Sequence, residues 1–275
     1  MKILRLISLL GILSFLGCQE TSQGVAAQEV GQKPFTDYVN PFIGTDGPGN
    51  TYPGAMTPFG MVQLSPDVGI PGWDRISGYF YPDSILTGFS HTHLSGTGAG
   101  DLYDVLLMPT NSRFDKRIGE NNHKPFSYFS HEHEGATAGY YWVDLQSYGI
   151  KVELTATPRV GVQQYTFPKD SLSKITVDLG YHINWDKPTE TQLKVVDNTT
   201  IEGYRFSTGW ARNQKVYFVI KLSKPFVRYE LVEETIEGKQ QAGQLVLHYP
   251  TEEGDQVVVK TALSMHSIAG AKANM

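Results

Sequence analysis

From Tyr140 onward, short runs of alternating apolar and polar residues follow one another, and this pattern restricts the fold more than any other feature. The runs "KVELTAT" (151–157) and "RVGVQQYTF" (159–167) flank Pro158, and "KITVDLG", "TIEGYRFSTG", "KVYFVIKL", "GQLVLHY" and "QVVVKTALSMH" extend the pattern to residue 266. A period of two, interrupted by turn residues, predicts antiparallel strands. No segment carries a sustained helical stripe. We therefore predict a mainly β fold, a large antiparallel β-sandwich with long glycine-rich loops and little helix.

The first eighteen residues, "MKILRLISLLGILSFLGC", predict a signal peptide. Lys2 and Arg5 precede an apolar run (7–16) that is too short to span a bilayer as a stable helix. The segment ends in "FLGC", which resembles a bacterial lipoprotein box. Cys18 is the single cysteine of the chain, so it cannot form an intramolecular disulfide, and we predict that it is lipidated. An ordinary signal peptide with an incidental cysteine is the alternative.

Residues 19–34 are small and polar, and they predict a flexible tether between the lipid and a folded domain over residues 35–266. This organisation implies a protein anchored in the bacterial cell envelope, either periplasmic or at the cell surface. The formal net charge of -5 argues against a nucleic-acid partner and against binding to an anionic membrane surface. Contact with a membrane is therefore expected through the lipid anchor alone.

The stretch "GFSHTHLSGTGAGD" (88–101) is too polar for a core strand and too rich in glycine for a helix. It predicts either a long surface loop or a loop that binds a ligand. His91-Thr92-His93 places two imidazoles on one face of an extended segment, and His131-Glu132-His133 repeats that spacing. Together the two pairs could hold zinc or a similar ion, but nothing in the sequence shows that they meet. A His-pair metalloenzyme therefore stays an alternative, and no metal ligand is assigned.

Five aspartates in the same third of the chain are candidates for acid–base chemistry: Asp67, Asp74, Asp83, Asp101 and Asp104. Glycoside hydrolysis needs two carboxylates about 5 to 10 Å apart, but most loop aspartates cap turns instead. Trp73 follows a Pro-Gly turn and precedes an aromatic run. It predicts either a buried anchor for the loop or a face that stacks on a sugar ring.

The segments "YVNPFIGTDGPGNTYPGAMTPFGMVQLSPD" (38–67) and "SGYFYPDSILTGFSHTHLSGTGAGDLYDVLLMP" (77–109) resemble the N-terminal signature of glycoside hydrolase family 92. The resemblance continues through "ELTATPRVGVQQYTFP" to "AGAKANM". It implies a bacterial exo-acting α-mannosidase, in most members an α-1,2-mannosidase that trims N-glycans and yeast mannan. It also implies an N-terminal β-sandwich packed on a helical (α/α)6 barrel. Residues 267–275 are then expected to start a linker to that barrel, which is absent from this chain.

The resemblance further implies inverting hydrolysis assisted by calcium, with the acid, the base and most calcium ligands in the helical domain. No catalytic or metal-binding residue is therefore assigned to this chain, and the isolated chain is expected to be inactive. The expected partners are mannose-containing glycans and a helical catalytic domain in the same or an adjacent polypeptide. The alternative is a stand-alone carbohydrate-binding module. The predicted substrate-binding residues are Trp73, His91, Thr92, His93, Phe42, Asp46 and Asp67, the two histidines bonding to sugar hydroxyls.

Overall fold

Antiparallel strands dominate the computed structural model, which describes residues 33–113 and 124–275. The predicted signal peptide with Cys18, and nearly all of the predicted tether, lie outside the described residues. Within the described residues, no helix has the length and apolar content needed to cross a bilayer. The compact unit Phe35–Met275 contains every element discussed below.

From β7 onward the strands are joined by short connections, and longer connections lie among the earlier strands. In chain order they are β1 (Ala55–Met56), β2 (Gln63–Asp67), β3 (Ile85–Leu86), β4 (Gly88–Ser90), β5 (Leu106–Thr110), β6 (Ser127–Tyr128), β7 (Glu134–Thr137), β8 (Tyr140–Leu145), β9 (Ile150–Ala156), β10 (Val160–Phe167), β11 (Asp170–Asp178), β12 (Lys187–Asp197), β13 (Thr200–Thr208), β14 (Gln214–Leu222), β15 (Arg228–Ile236), β16 (Lys239–Thr251) and β17 (Asp255–Ser264). The helix α1 spans Ile268–Asn274, and short 3-10 helices span Phe35–Tyr38, Gly47–Gly49, Trp73–Arg75 and His131–His133.

Two large sheets enclose one apolar core. The first sheet has the strand order β1-β2-β4-β5-β11-β16-β15, and the second has the order β12-β13-β14-β17-β10-β9-β8-β7. Tyr141, Val143 and Leu145 of β8 alternate with more exposed residues and point into the core, which they share with Ile175 and Val177 of β11. The alternating pattern has thus placed the apolar side of each sheet against the other. The predicted mainly β sandwich with little helix is confirmed.

The C-terminal residues pack on the second sheet. Ser267 caps α1 by accepting a hydrogen bond from the backbone of Gly270 at 3.0 Å, and Ala271 is buried beneath the helix. Lys272 lies 2.6 Å from Glu202 of β13, and the side chain of Asn274 donates to the carbonyl of Leu263 at 2.8 Å. The segment expected to begin a linker is therefore a docked helical turn here, and its role as a linker stays a prediction.

One buried arginine joins the two sheets at the end of the sandwich that carries the long loops. Arg205 of β13 is fully buried and donates to Asp104 at 2.8 Å and to Asp186. It also donates to the carbonyls of Leu179 and Tyr181, at 3.0 and 2.9 Å, just beyond the last residue of β11. Burial opposes the charge of the guanidinium, but the two carboxylates outweigh burial and raise the pKa of Arg205.

Replacing Arg205 by leucine should lower the free energy of unfolding by about 3–5 kcal/mol, because two buried carboxylates lose their counter-ion. Urea titration followed by circular dichroism measures this change. The control is Lys169→Ala, which breaks the solvent-exposed ion pair with Glu252 and should leave the unfolding midpoint unchanged. An Arg205→Leu variant as stable as the parent chain would contradict the assigned role.

Candidate functional site

The first histidine of the glycine-rich stretch lies in the interior. His91 has no solvent exposure, and its Nδ1 lies 2.6 Å from the carbonyl of Val105, so Nδ1 carries the proton. Its Nε2 then accepts a hydrogen bond from the amide of Gln163 at 3.3 Å. Burial lowers the pKa of His91 to about 4, since the charged form cannot be solvated there. This imidazole is neutral and has protein partners on both nitrogens.

Thr92, His93 and Asp67 are buried beside it. His93 lies with Nδ1 at 2.7 Å from the carbonyl of Gln63 and with Nε2 at 3.1 Å from Asp67 Oδ1. The hydroxyl of Thr92 donates to Asp104 at 2.7 Å, so Thr92 belongs to the Arg205 cluster. Direct sugar contact by His91, Thr92, His93 or Asp67 does not fit this burial. Polar side chains inside a protein take protein partners, and these four have done so.

The Asp67–His93 pair lies directly beneath the loop that carries Trp73. Gly78 has a φ of +89°, and a Cβ at this position would lie 2.6 Å from Asp67 Oδ1 and 2.8 Å from His93 Cδ2. The backbone of Val68 donates to the carbonyl of Gly78 at 2.9 Å. Only glycine allows the loop to approach the buried pair this closely.

Trp73 is open to solvent, with 59% of its surface exposed. Its ring lies over Gly98 of the glycine-rich stretch, where an added Cβ would be 3.2 Å from Cη2. The backbone of Gly72 donates to Asn184 Oδ1 at 2.9 Å, which fixes the start of the Trp73 turn. Gly98 thus makes room for an indole ring of the same protein.

Phe42 and Asp46 line a cleft to which Trp73 does not contribute (the second cleft). Its other lining residues are Asn40, Thr45, Tyr81, His131 and Glu134. The Phe42 ring meets Tyr81 edge-on at 5.9 Å, and Tyr81 stacks on His131 at 3.8 Å. Asp46 accepts a hydrogen bond from the backbone of Gly47 at 2.6 Å, as a turn-capping aspartate does. The structure thus brings Phe42 and Asp46 together with a member of the second histidine pair.

A buried carboxylate holds this second cleft in place. Glu134 pairs with His131 and accepts hydrogen bonds from the hydroxyls of Tyr79 and Tyr141, at 2.8 and 2.7 Å. Burial raises the pKa of both tyrosines, and the charge of Glu134 raises it further. Both hydroxyls therefore keep their protons and act as donors. Neither Tyr81 nor Glu134 was identified as a site residue from the sequence. The one available signal was the position of Glu134 next to the second histidine pair.

The two histidine pairs do not form a common centre. His91 and His93 are buried, His131 pairs with Glu134, and the exposed His133 lies 3.3 Å from Asp144. Across residues 33–113 and 124–275, no group of three or more His, Cys, Asp and Glu side chains is placed to hold a metal ion. The described residues therefore contain no cluster of these side chains that would suit zinc.

Two exposed tryptophans were not identified from the sequence. Trp185 and Trp210 line one cleft, with 47% and 71% of their surfaces exposed. The side chain of Asn184, next to Trp185, makes the hydrogen bond to Gly72 described above, so this cleft adjoins the Trp73 turn. Each tryptophan stands in a connection between two strands, as Trp73 does, and that similarity was the available signal.

Comparison with known proteins gives concordant results. A family model described as the glycosyl hydrolase family 92 N-terminal domain matches residues 38–264. Among solved structures, a family 92 α-mannosidase from Bacteroides thetaiotaomicron in complex with mannoimidazole is 36% identical with a TM-score of 0.78, over 87% of this chain and 33% of that chain. A family 92 inverting mannosidase from the same organism is 27% identical with a TM-score of 0.68, over 87% of this chain and 33% of that chain.

Among curated proteins, an uncharacterized secreted glycosidase from Arthroderma benhamiae is 32% identical over 165 residues. The matched region is 56% of this chain and 21% of that protein. The chain therefore spans about a third of the length of the solved relatives and about a fifth of the curated one.

The neutral His91 makes stability depend on pH. Its pKa is about 4 in the folded chain, against 6.5 for an exposed histidine, so the unfolded chain binds a proton more readily between these values. The contribution of His91 is complete above pH 6.5 and is lost as the pH falls toward 4, by up to about 3 kcal/mol.

Urea titrations of the parent chain and of His91→Gln between pH 7.5 and 4.5 test this expectation. The variant should show the flatter dependence of unfolding free energy on pH, because glutamine has no proton to take up. His133→Gln, at an exposed histidine, serves as the control and should follow the parent. Parallel curves for the parent and His91→Gln would contradict the prediction.

Proposed function

Because this chain belongs to the family of glycosyl hydrolase family 92 N-terminal domains, we propose that it is the β-sandwich part of a calcium-dependent, inverting exo-α-mannosidase that hydrolyses glycans. The family match over residues 38–264 carries this proposal. It is supported by two solved relatives, an α-mannosidase and an inverting mannosidase, both of which share the fold of this chain. Its substrates are mannose-containing glycans.

The chain contributes part of the sugar pocket through its exposed aromatic side chains. Trp73 offers an indole face that is held on Gly98 and open to solvent, as stacking on a pyranose ring requires. Phe42 and Asp46 add an apolar and an acidic group from the second cleft. The buried residues His91, Thr92, His93 and Asp67 act as positioning residues, because they support the loops from beneath without reaching the surface.

The reactive groups belong to a helical catalytic domain in the same or an adjacent polypeptide. The residues that bind calcium are proposed to belong to the helical domain as well. Lipidation of Cys18 would hold the protein in the bacterial cell envelope. A secreted glycosidase among the relatives supports a location outside the cytoplasm.

The isolated chain should not hydrolyse nitrophenyl α-mannoside measurably. Correct positioning of the reacting groups accounts for about 7–11 kcal/mol of a barrier, and a pocket that lacks its second wall forfeits that positioning. Release of nitrophenol is followed spectrophotometrically at several calcium concentrations, with a complete family 92 mannosidase as the positive control. Turnover by this chain alone would contradict the proposed division of roles.

Weak binding should survive in the isolated chain, because Trp73 still presents its ring. Trp73→Ala should weaken the affinity for methyl α-mannoside by roughly tenfold. The affinity is measured by NMR titration at millimolar sugar, and Trp142→Phe, on β8, is the control that should bind like the parent. Equal affinities for the parent and Trp73→Ala would contradict this role. Micromolar binding by the parent would favour a stand-alone carbohydrate-binding module.

A further inference from the structure

The cleft between Trp185 and Trp210 has the composition of a carbohydrate site. Its volume is about 650 Å³, and its lining is Asn184, Trp185, Lys187, Thr208, Gly209 and Trp210. Small-molecule sites commonly measure about 300–1,000 Å³ and combine apolar faces with a few polar groups. Two indole faces suit the C–H surface of a sugar ring. The ammonium of Lys187 can donate to a hydroxyl, and the oxygen of Thr208 can accept from one.

Both tryptophans are held by consecutive residues of the glycine-rich stretch. The backbone of Trp185 donates to the carbonyl of Gly100 at 3.0 Å. Buried Asp101 accepts from the backbone of Ala211 at 2.8 Å and thereby fixes the turn that carries Trp210. This turn is tight, because a Cβ on Gly209 would lie 2.1 Å from Asp101 Oδ1. The backbone of both loops is therefore fixed, although neither ring belongs to the apolar core.

The cleft lies next to the turn that carries Trp73. Asn184 has a positive φ of 54° and directs its side-chain oxygen to the backbone of Gly72, one residue before Trp73. The lining contains no carboxylate, which favours a neutral ligand with many hydroxyls over a cationic one. Because Asn184 lines the cleft and bonds to the residue before Trp73, the cleft adjoins the ring on which we propose that the terminal sugar stacks.

We propose that the Trp185–Trp210 cleft binds the sugar residues that follow the terminal mannose, so that this chain selects oligosaccharides over monosaccharides. The inference rests on the proposed function, since it takes the glycan to be held at Trp73. A surface of another protein domain that covers both indoles is the competing occupant. In that case the cleft would have no affinity for free saccharides, and neither ring would respond to them.

Fluorine NMR of the full chain labelled with fluorotryptophan separates these outcomes. The chain has four tryptophans, and each signal is assigned from the corresponding Trp→Phe variant. Mannose, an α-linked mannobiose and an α-linked mannotriose are titrated in turn, with maltotriose as a control of equal size. The Trp73 signal should shift with all three mannosides. The Trp185 and Trp210 signals should shift with the two longer ones alone, and the signal of Trp142 on β8 should not move.

Variants provide a second measurement. Trp185→Ala and Trp210→Ala should each weaken mannotriose binding roughly tenfold and leave mannose binding unchanged. A shift at Trp73 without shifts at Trp185 and Trp210 would overturn this inference and leave the proposed function in place. An absence of shifts at all three would overturn this inference together with the sugar-binding role proposed for Trp73. Equal shifts of Trp185 and Trp210 with maltotriose would overturn the assignment to mannosides.

Discussion

The ion cluster around Arg205 is the interaction on which the loop end of this sandwich depends. A guanidinium with no solvent exposure persists there because Asp104 and Asp186 neutralise it and two carbonyls take its remaining donors. Asp104 also accepts from Thr92, so the cluster reaches from β13 of one sheet into the loop that precedes β5 of the other. The Arg205 cluster fixes the points at which the loops leave the strands, and the positions of the exposed aromatic side chains depend on those points.

Above this cluster, the glycine-rich stretch acts as a scaffold for tryptophans supplied by other loops. Gly98 lies under Trp73, and Gly100 and Asp101 hold the segments of Trp185 and Trp210. The histidines of the same stretch point inward and occupy the space beneath. The side chains of His91 and His93 in this stretch therefore bond to groups in the interior, while its backbone contacts the neighbouring loops. Exposed indoles held in this manner are typical of ligand sites rather than of a folding core.

The sequence predicted the sandwich well because strand alternation is a local property. In each run from residue 151 onward, such as that of β9 or β10, the alternation of apolar and polar residues shows which face is buried. The family resemblance likewise depended on long contiguous segments. The orientation of His91 and His93 is different in kind. A spacing of two residues shows that both imidazoles share a face, but it cannot show that this face meets Gln163 or Asp67. The Asn184–Gly72 contact, between residues 112 positions apart, was equally out of reach.

The adjacency of Gly100 and Asp101 has a mechanical consequence. The backbone of Trp185, in the loop after β11, donates to the carbonyl of Gly100, and the backbone of Ala211, in the loop after β13, donates to the side chain of Asp101, the next residue. A shift of the Gly100–Asp101 segment is therefore transmitted to both loops, because each loop is bonded to it. The two tryptophan loops are thus coupled through one short piece of chain to which neither belongs.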